Sequence, residues 1–369
     1  MQTPKGHVLA KLWFGLRCWR LSRTSNSVLP ETRQRQWRWR WRYGLHSRGA
    51  HDASPRTSVD REQVKRFAEQ ARDWWNPTGP AGMLQRMNPA RIEFIKEAVA
   101  GALDITHAPI GDDTHPGTAT RSSFRSSARS AGSGCDTHHW ARLRVLDVGC
   151  GAGLLSEALA ALGAHVTAID AAAEAIAIAQ QRQAAMAALS SMTSSTSGMA
   201  TMRASRARCL AERLAYRCAS IEELLAERGN AASFDVVTAL EVLEHVQNPL
   251  VFLGNLVQML KPGGVLVIST LDRSIASFVV AILMAERVLG LVPRGTHDWS
   301  RFIQPEELTE ALLTLGRSAG TGSEVACRGS RHSMEICRVA GLVWNPLSGG
   351  FARTRWTDVN YILAARKRR

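Results

Sequence analysis

Hydrophobic and polar positions follow two rhythms along this chain. From residue 143 onward, short β-branched runs recur: L-R-V-L-D-V (143–148), H-V-T-A-I-D (165–170), A-Y-R-C-A (215–219), F-D-V-V-T-A-L (234–240) and G-V-L-V-I-S-T (264–270). Between them, at 154–163, 171–189, 221–228 and 249–260, lie Ala- and Leu-rich stretches with helical spacing. Strand and helix in that order predict an α/β fold with a parallel sheet wrapped on both faces. A further helix is expected at 305–315, and two late strands near 335–344 and 358–365. Upstream, 58–76 and 88–102 read as helices, with Asn88-Pro89 as N-cap and first-turn residue of the second.

Three stretches lack any period: 107–138, 190–207 and 317–333 are mixtures of Ser, Gly, Thr and Arg that read as loops or linkers. The chain therefore divides into a leading segment 1–50, a helical segment 51–106, a low-complexity loop 107–140, and an α/β domain 141–369 with insertions near 190–207 and 317–333. A chain of 369 residues, 45% of them hydrophobic, can bury one full α/β core and leave about a hundred residues for appendages.

The formal charge of +14 would suggest nucleic acid or an anionic membrane as partner, but its location changes that reading. Residues 1–50 hold eleven Lys or Arg against the single acid Glu31, and the run Arg366, Lys367, Arg368, Arg369 adds four more charges. Everything between is balanced. An Arg-rich, acid-poor N-terminus has the composition of a mitochondrial transit peptide. Its run Q-W-R-W-R-W-R-Y (36–43) also has the chemistry of an RNA- or membrane-interface arm. No apolar stretch suits a secretory signal or a membrane span. Seven cysteines, widely spaced and without a C-x-x-C pair, argue against a disulfide framework or structural zinc and for a reducing compartment.

The candidate chemistry begins at V-L-D-V-G-C-G-A-G-L-L, where the first strand gives way to the first helix. Gly149, Gly151 and Gly153 permit a tight turn and close approach of backbone to a ligand at the sheet's C-terminal edge, with Asp147 two residues before. A dinucleotide fingerprint would read G-x-G-x-x-G; the G-x-G-x-G here points to a nucleoside without a pyrophosphate. Asp170, ending the second strand, suits the ribose hydroxyls. Farther on, T-A-L-E-V-L-E-H-V-Q (238–247) groups Glu241, Glu244 and His245. On a helix these three would share one face. They are compatible with a metal site, with an acid/base pair in which His245 is the base, or with the charged face of an ordinary helix.

These residues resemble the class I S-adenosylmethionine (SAM) methyltransferases. With D-W-W-N-P, R-M-N-P-A-R-I, L-E-V-L-E-H-V-Q-N-P, L-K-P-G-G-V-L-V-I-S-T-L-D-R, V-P-R-G-T-H-D-W and V-N-Y-I-L, the chain resembles the ubiquinone biosynthesis O-methyltransferases over about 60–366. That resemblance implies a Rossmann-like, mostly parallel seven-stranded sheet with an N-terminal helical cap. It implies SAM contacts at Arg91, Gly149, Asp170 and Leu240, and more weakly at Ser220 and Ile221, and Mg2+ at Glu241, Glu244 and His245. Magnesium would acidify a chelated catechol hydroxyl, although a His ligand is unusual for it. The substrate would be a polyprenylated quinol or catechol. The setting would be the matrix face of the inner mitochondrial membrane, beside other ubiquinone-biosynthesis proteins, with no nucleic acid as partner. The apolar stretch 275–293, too short to span, would lie in the interface, and Arg294, Gly295, Thr296 and His297 would form a lid. Two other readings are a methyltransferase of RNA or protein using the basic arm and a non-catalytic assembly subunit; the intact motifs argue against the second. Ala152 stands where the family more often has Gly.

Overall fold

In the computed structural model, described over residues 57–79, 81–103, 139–191, 207–274, 277, 299–315, 333–345 and 347–369, the β-branched runs pair as expected. Strands β1 (Arg144–Val148), β2 (His165–Asp170), β3 (Leu214–Cys218), β4 (Phe234–Leu240) and β5 (Leu260–Leu271) are parallel to one another. Three antiparallel strands follow: β6 (Met334–Asn345), β7 (Gly350–Thr354) and β8 (Asn360–Lys367). The order is β3-β2-β1-β4-β5-β8-β6-β7, so β8 inserts between β5 and β6. Among the described residues there are eight strands rather than the seven implied by resemblance. The extra one is β7, G-F-A-R-T, which has no clear alternation to betray it.

Successive strand side chains point to opposite faces, and each face is covered. On one, Val145, Val166, Val265, Val267 and Ile362 pack against helix α2 (Gly82–Ala102), helix α3 (Leu154–Ala161) and helix α4 (Ala173–Ser191). On the other, Leu146, Leu266, Ile268 and Leu363 meet α5 (Ile221–Ala226), α6 (Pro249–Met259) and α7 (Pro305–Leu315). The near-continuous burial of β4 and β5 follows from this two-sided cover.

Ahead of the sheet, α1 (Arg61–Gln70) starts where the Asp60 carboxylate accepts the backbone N–H groups of Glu62 and Gln63. The second helix differs from its expected form. It starts at Gly82, so Asn88 is not its cap and Pro89 sits inside it, without the N–H that an interior turn needs. Asn88 instead donates through Nδ2 to the Leu154 carbonyl, tying α2 to α3 (2.9 Å). The basic run 366–369 also belongs partly to the sheet: buried Lys367 donates through Nζ to the Val257 and Leu260 carbonyls at the end of α6 (3.0 and 2.8 Å). Most of the apolar stretch 275–293, the segment Arg294–His297, the run 36–43 and most of the three loops lie outside the described residues.

Candidate functional site

The parallel strands end together at one edge, and the connection from β1 to α3 turns there. Gly149, Gly151 and Gly153 all have positive φ (71°, 54° and 89°), a region costly for residues with a Cβ. All three are hemmed in as well. A Cβ on Gly149 would strike the Val242 side chain, one on Gly151 the Trp74 indole and one on Gly153 the Tyr216 hydroxyl. The turn is fastened to β2, because Gly149 and Cys150 both donate their N–H to the Ile169 carbonyl (2.8 and 3.1 Å). Asp170 fastens it again, with Oδ2 accepting the Gly151 N–H and Oδ1 the Ala172 N–H (both 2.8 Å). Burial raises the Asp170 carboxyl above its ordinary range, and those backbone donors pull it back.

Asp147 lies beneath the turn, buried, its carboxylate accepting from the hydroxyls of Ser156 (2.6 Å) and Thr238 (2.8 Å). Burial pushes it up to about 6 against those two hydrogen bonds. With one oxygen on Ser156 and the other on Thr238, it ties α3 and β4 together beneath the cradle. Ser220 caps α5 through a reciprocal pair with Glu223, Ile221 is buried behind it, and Leu240 closes β4 at the same edge. The structure thus brings Asp147, the three glycines, Asp170, Ser220, Ile221 and Leu240 to one sheet edge. Trp74 and Trp75, on the segment after α1, cover this turn. Trp75 donates its indole N–H to the Ala152 carbonyl (3.0 Å), while the buried indole N–H of Trp74 has no partner among the described residues.

One strand farther along, Glu241 follows β4 with φ +58°, a strained conformation for a residue with a side chain. Its Oε1 accepts the Ser269 hydroxyl (2.5 Å) and lies 2.9 Å from Nη2 of Arg91, which reaches in from α2. Oε2 accepts from Asn360 Nδ2 (2.9 Å). The Arg91 contact is a charge pair without hydrogen-bond alignment, so Nε and Nη2 of this buried guanidinium are left unsatisfied. Unpaired donors at Arg91 and Trp74 beside a glycine cradle are what a polar nucleoside with a charged tail requires.

The three-residue metal set takes a different form from the helix of the sequence reading. Only Leu243–His245 form a single 3-10 turn, and Glu241 lies outside it. Glu241 bonds Ser269 whereas Glu244 bonds Thr270 (2.7 Å), and adjacent strand residues face opposite sides of the sheet. Both oxygens of Glu241 are occupied, one of them against a cation. His245 shares Nδ1 with Gln63 Oε1 (3.2 Å), its Nε2 lies 4.0 Å from Glu244 Oε1, and its ring packs edge-on to Phe67. As placed, the three side chains do not converge on a cation, and among the described residues no cluster of acids, His and Cys is arranged to hold one. Burial, and then the charge of Glu241, raise the Glu244 carboxyl well above its ordinary range.

Several contributors escape a reading by motif. Trp74, Tyr216, Ser269, Thr270 and Asn360 lie in or next to quoted motifs, yet nothing in their spacing marks them. Asp272, just past β5, is pushed up to about 7 by burial and by Asp358 and Glu306, and its buried Oδ1 lacks a partner.

Comparison with known proteins gives consistent results. A profile described as "Methyltransferase domain" matches residues 110–316. A protein of Methylocella silvestris named "Ubiquinone biosynthesis O-methyltransferase" is 36% identical over 318 residues, covering 86% of this chain and 98% of its own. Proteins of the same name from Caulobacter vibrioides (35% identical; 86% and 98% covered) and Methylobacterium nodulans (36%; 84% and 96%) match as broadly.

Proposed function

The chain belongs to the ubiquinone biosynthesis O-methyltransferase family and is a SAM-dependent O-methyltransferase, and on that premise we propose that it methylates hydroxyls of polyprenylated dihydroxybenzoates and demethylubiquinols. The observation that carries the substrate side is the position of the Arg91–Glu241–Ser269–Asn360 cluster, on the same sheet edge as the glycine cradle and next to it. SAM supplies an electrophilic methyl group on its sulfonium. The chain's contribution is chiefly placement: the cradle and Asp170 seat the nucleoside, Arg91 has donors to spare for its charged tail, and the cluster holds the phenol.

His245 is the residue proposed to take the phenol proton. Gln63 and Phe67 orient its ring. Magnesium at Glu241, Glu244 and His245 would require Arg91 to release Glu241, and no step here depends on it. We further place the enzyme in mitochondria at the inner membrane's matrix face, with other ubiquinone-biosynthesis proteins beside it. The support is the Arg-rich, acid-poor residues 1–50 and the apolar stretch 275–293. Fusing residues 1–50 to a fluorescent protein should direct it to mitochondria; a cytosolic or nuclear signal would overturn that placement.

The deciding experiment is transfer of labelled methyl from SAM to a short-chain demethylubiquinol, with and without EDTA. Transfer indifferent to EDTA is expected. Loss with EDTA and recovery with magnesium would show that Glu241 exchanges Arg91 for a cation. SAM binding without transfer would overturn the substrate. His245→Ala should lower kcat by about a hundredfold or more and remove the acidic limb of its pH profile.

A further inference from the structure

Asn360 opens β8 and is paired with Leu271 of β5, which puts its side chain on the face shared by Ser269, Glu241 and Arg91. It is 4% exposed. Its carboxamide has one settled end, since Nδ2 donates to Glu241 Oε2 at 2.9 Å. The reverse orientation would set a carbonyl oxygen against a carboxylate. The other end, Oδ1, is therefore an acceptor, and it is buried without a hydrogen-bond partner among the described residues. A carbonyl left so in a native interior is costly, so a partner is expected for it. Next to it are two more signs of an incomplete arrangement: unsatisfied Nε and Nη2 on buried Arg91 and the positive φ of Glu241. Oδ1 is set to accept a hydrogen from a donor brought to it.

Position in the sheet tells which molecule brings that donor. Neighbouring strands lie about 4.8 Å apart, so β2, with its ribose-binding Asp170, and β8 are separated by about 19 Å across β1, β4 and β5. A nucleoside seated at Asp170 and the cradle spends its length over β2, β1 and β4. Asn360 is two strands beyond β4, on the far side of the methyl group, where the acceptor molecule stands.

We propose that Asn360 is a substrate-positioning residue, whose carboxamide oxygen accepts the hydrogen of the hydroxyl adjacent to the oxygen being methylated, and so selects vicinal dihydroxyarenes. The proposal rests on the quinol reading given above. Glu241 is the anchor that makes it work: by holding Nδ2 it fixes the direction of Oδ1. Ser269 and Arg91 hold Glu241 in turn, so this strained residue is fixed by two hydrogen-bond donors and one cation.

The test compares wild type with Asn360→Ala on two substrates, a short-chain vicinal dihydroxyarene and its analogue lacking the neighbouring hydroxyl, while SAM affinity is measured separately by calorimetry. Wild type should prefer the dihydroxy substrate. Asn360→Ala should raise its KM about tenfold and erase the preference, with SAM affinity changed less than twofold. A uniform fall on both substrates alongside a lowered thermal midpoint would reduce Asn360 to a structural support and overturn the proposal. Weakened SAM binding with the preference intact would give the carboxamide to the cofactor's ammonium group, and would overturn it too. Because Ala also removes the donor to Glu241, Ser269→Ala is compared beside it: this variant loosens Glu241 but keeps the Asn360 acceptor, so the preference should fall less than in Asn360→Ala, and an equal fall would give the preference to Glu241 and overturn the proposal. Wild type inactive on every dihydroxyarene would instead defeat the quinol reading beneath the proposal, a result distinct from an active enzyme whose preference survives Asn360→Ala.

Discussion

Gly151 and Trp74 constrain each other: the first needs φ +54° and the second occupies the space a Cβ would take. Gly151→Ala should therefore pay twice, with about 1–2 kcal/mol of backbone strain and a displaced indole over the cofactor turn. The expected result is SAM affinity at least tenfold weaker by calorimetry, with a lower thermal midpoint. Asp272 offers a pH test. Its folded pKa of about 7 lies above the ordinary carboxyl value, so its neutral form is favoured in the fold. The stability this provides is present below about pH 4 and lost as pH rises through about 7. Asp272→Asn should flatten that part of the stability profile, measured by denaturant melts between pH 5 and 8. At this scale the sequence was legible where backbone geometry dictates residue type, as at the three glycines. It was opaque where a role depends on a neighbour distant in the chain. Asn360 and Glu241 are 119 positions apart, and no spacing rule connects them.

At the scale of elements, periodicity located the strands well, since β1, β4 and most of β5 are buried on both faces and leave largely apolar runs, while β3 at the edge alternates buried and exposed positions. It misplaced the start of α2, because Asn88-Pro89 imitates a helix start; Asn88 serves a tertiary bond to α3 instead. The acid pair misled for a related reason. L-E-V-L-E-H has helical spacing, but Glu241 and Glu244 are captured by Ser269 and Thr270, and only one 3-10 turn survives between strand and α6. Lys367 shows how a charged run can join a core. It satisfies two carbonyls at the end of α6, and its ammonium group is held below its ordinary pKa by burial. Lys367→Met keeps most of the volume and leaves both carbonyls unsatisfied. A loss of about 2 kcal/mol is expected, read as a thermal midpoint several degrees lower with SAM affinity unchanged.

For the molecule as a whole, the strand order has a consequence for assembly. β8 lies between β5 and β6 although it follows both in the chain, and its pairing with β5 joins residues about ninety positions apart. Such long-range closure is slow, and it cannot begin until β8 has been made. Until then β5 presents an open row of backbone donors and acceptors, flanked by Val265 to Ile268, on a chain whose other strands are already able to pair. A nascent form of this protein in which β5 is made and β8 is not thus carries an adhesive edge, which is covered only when β8 zips the sheet shut.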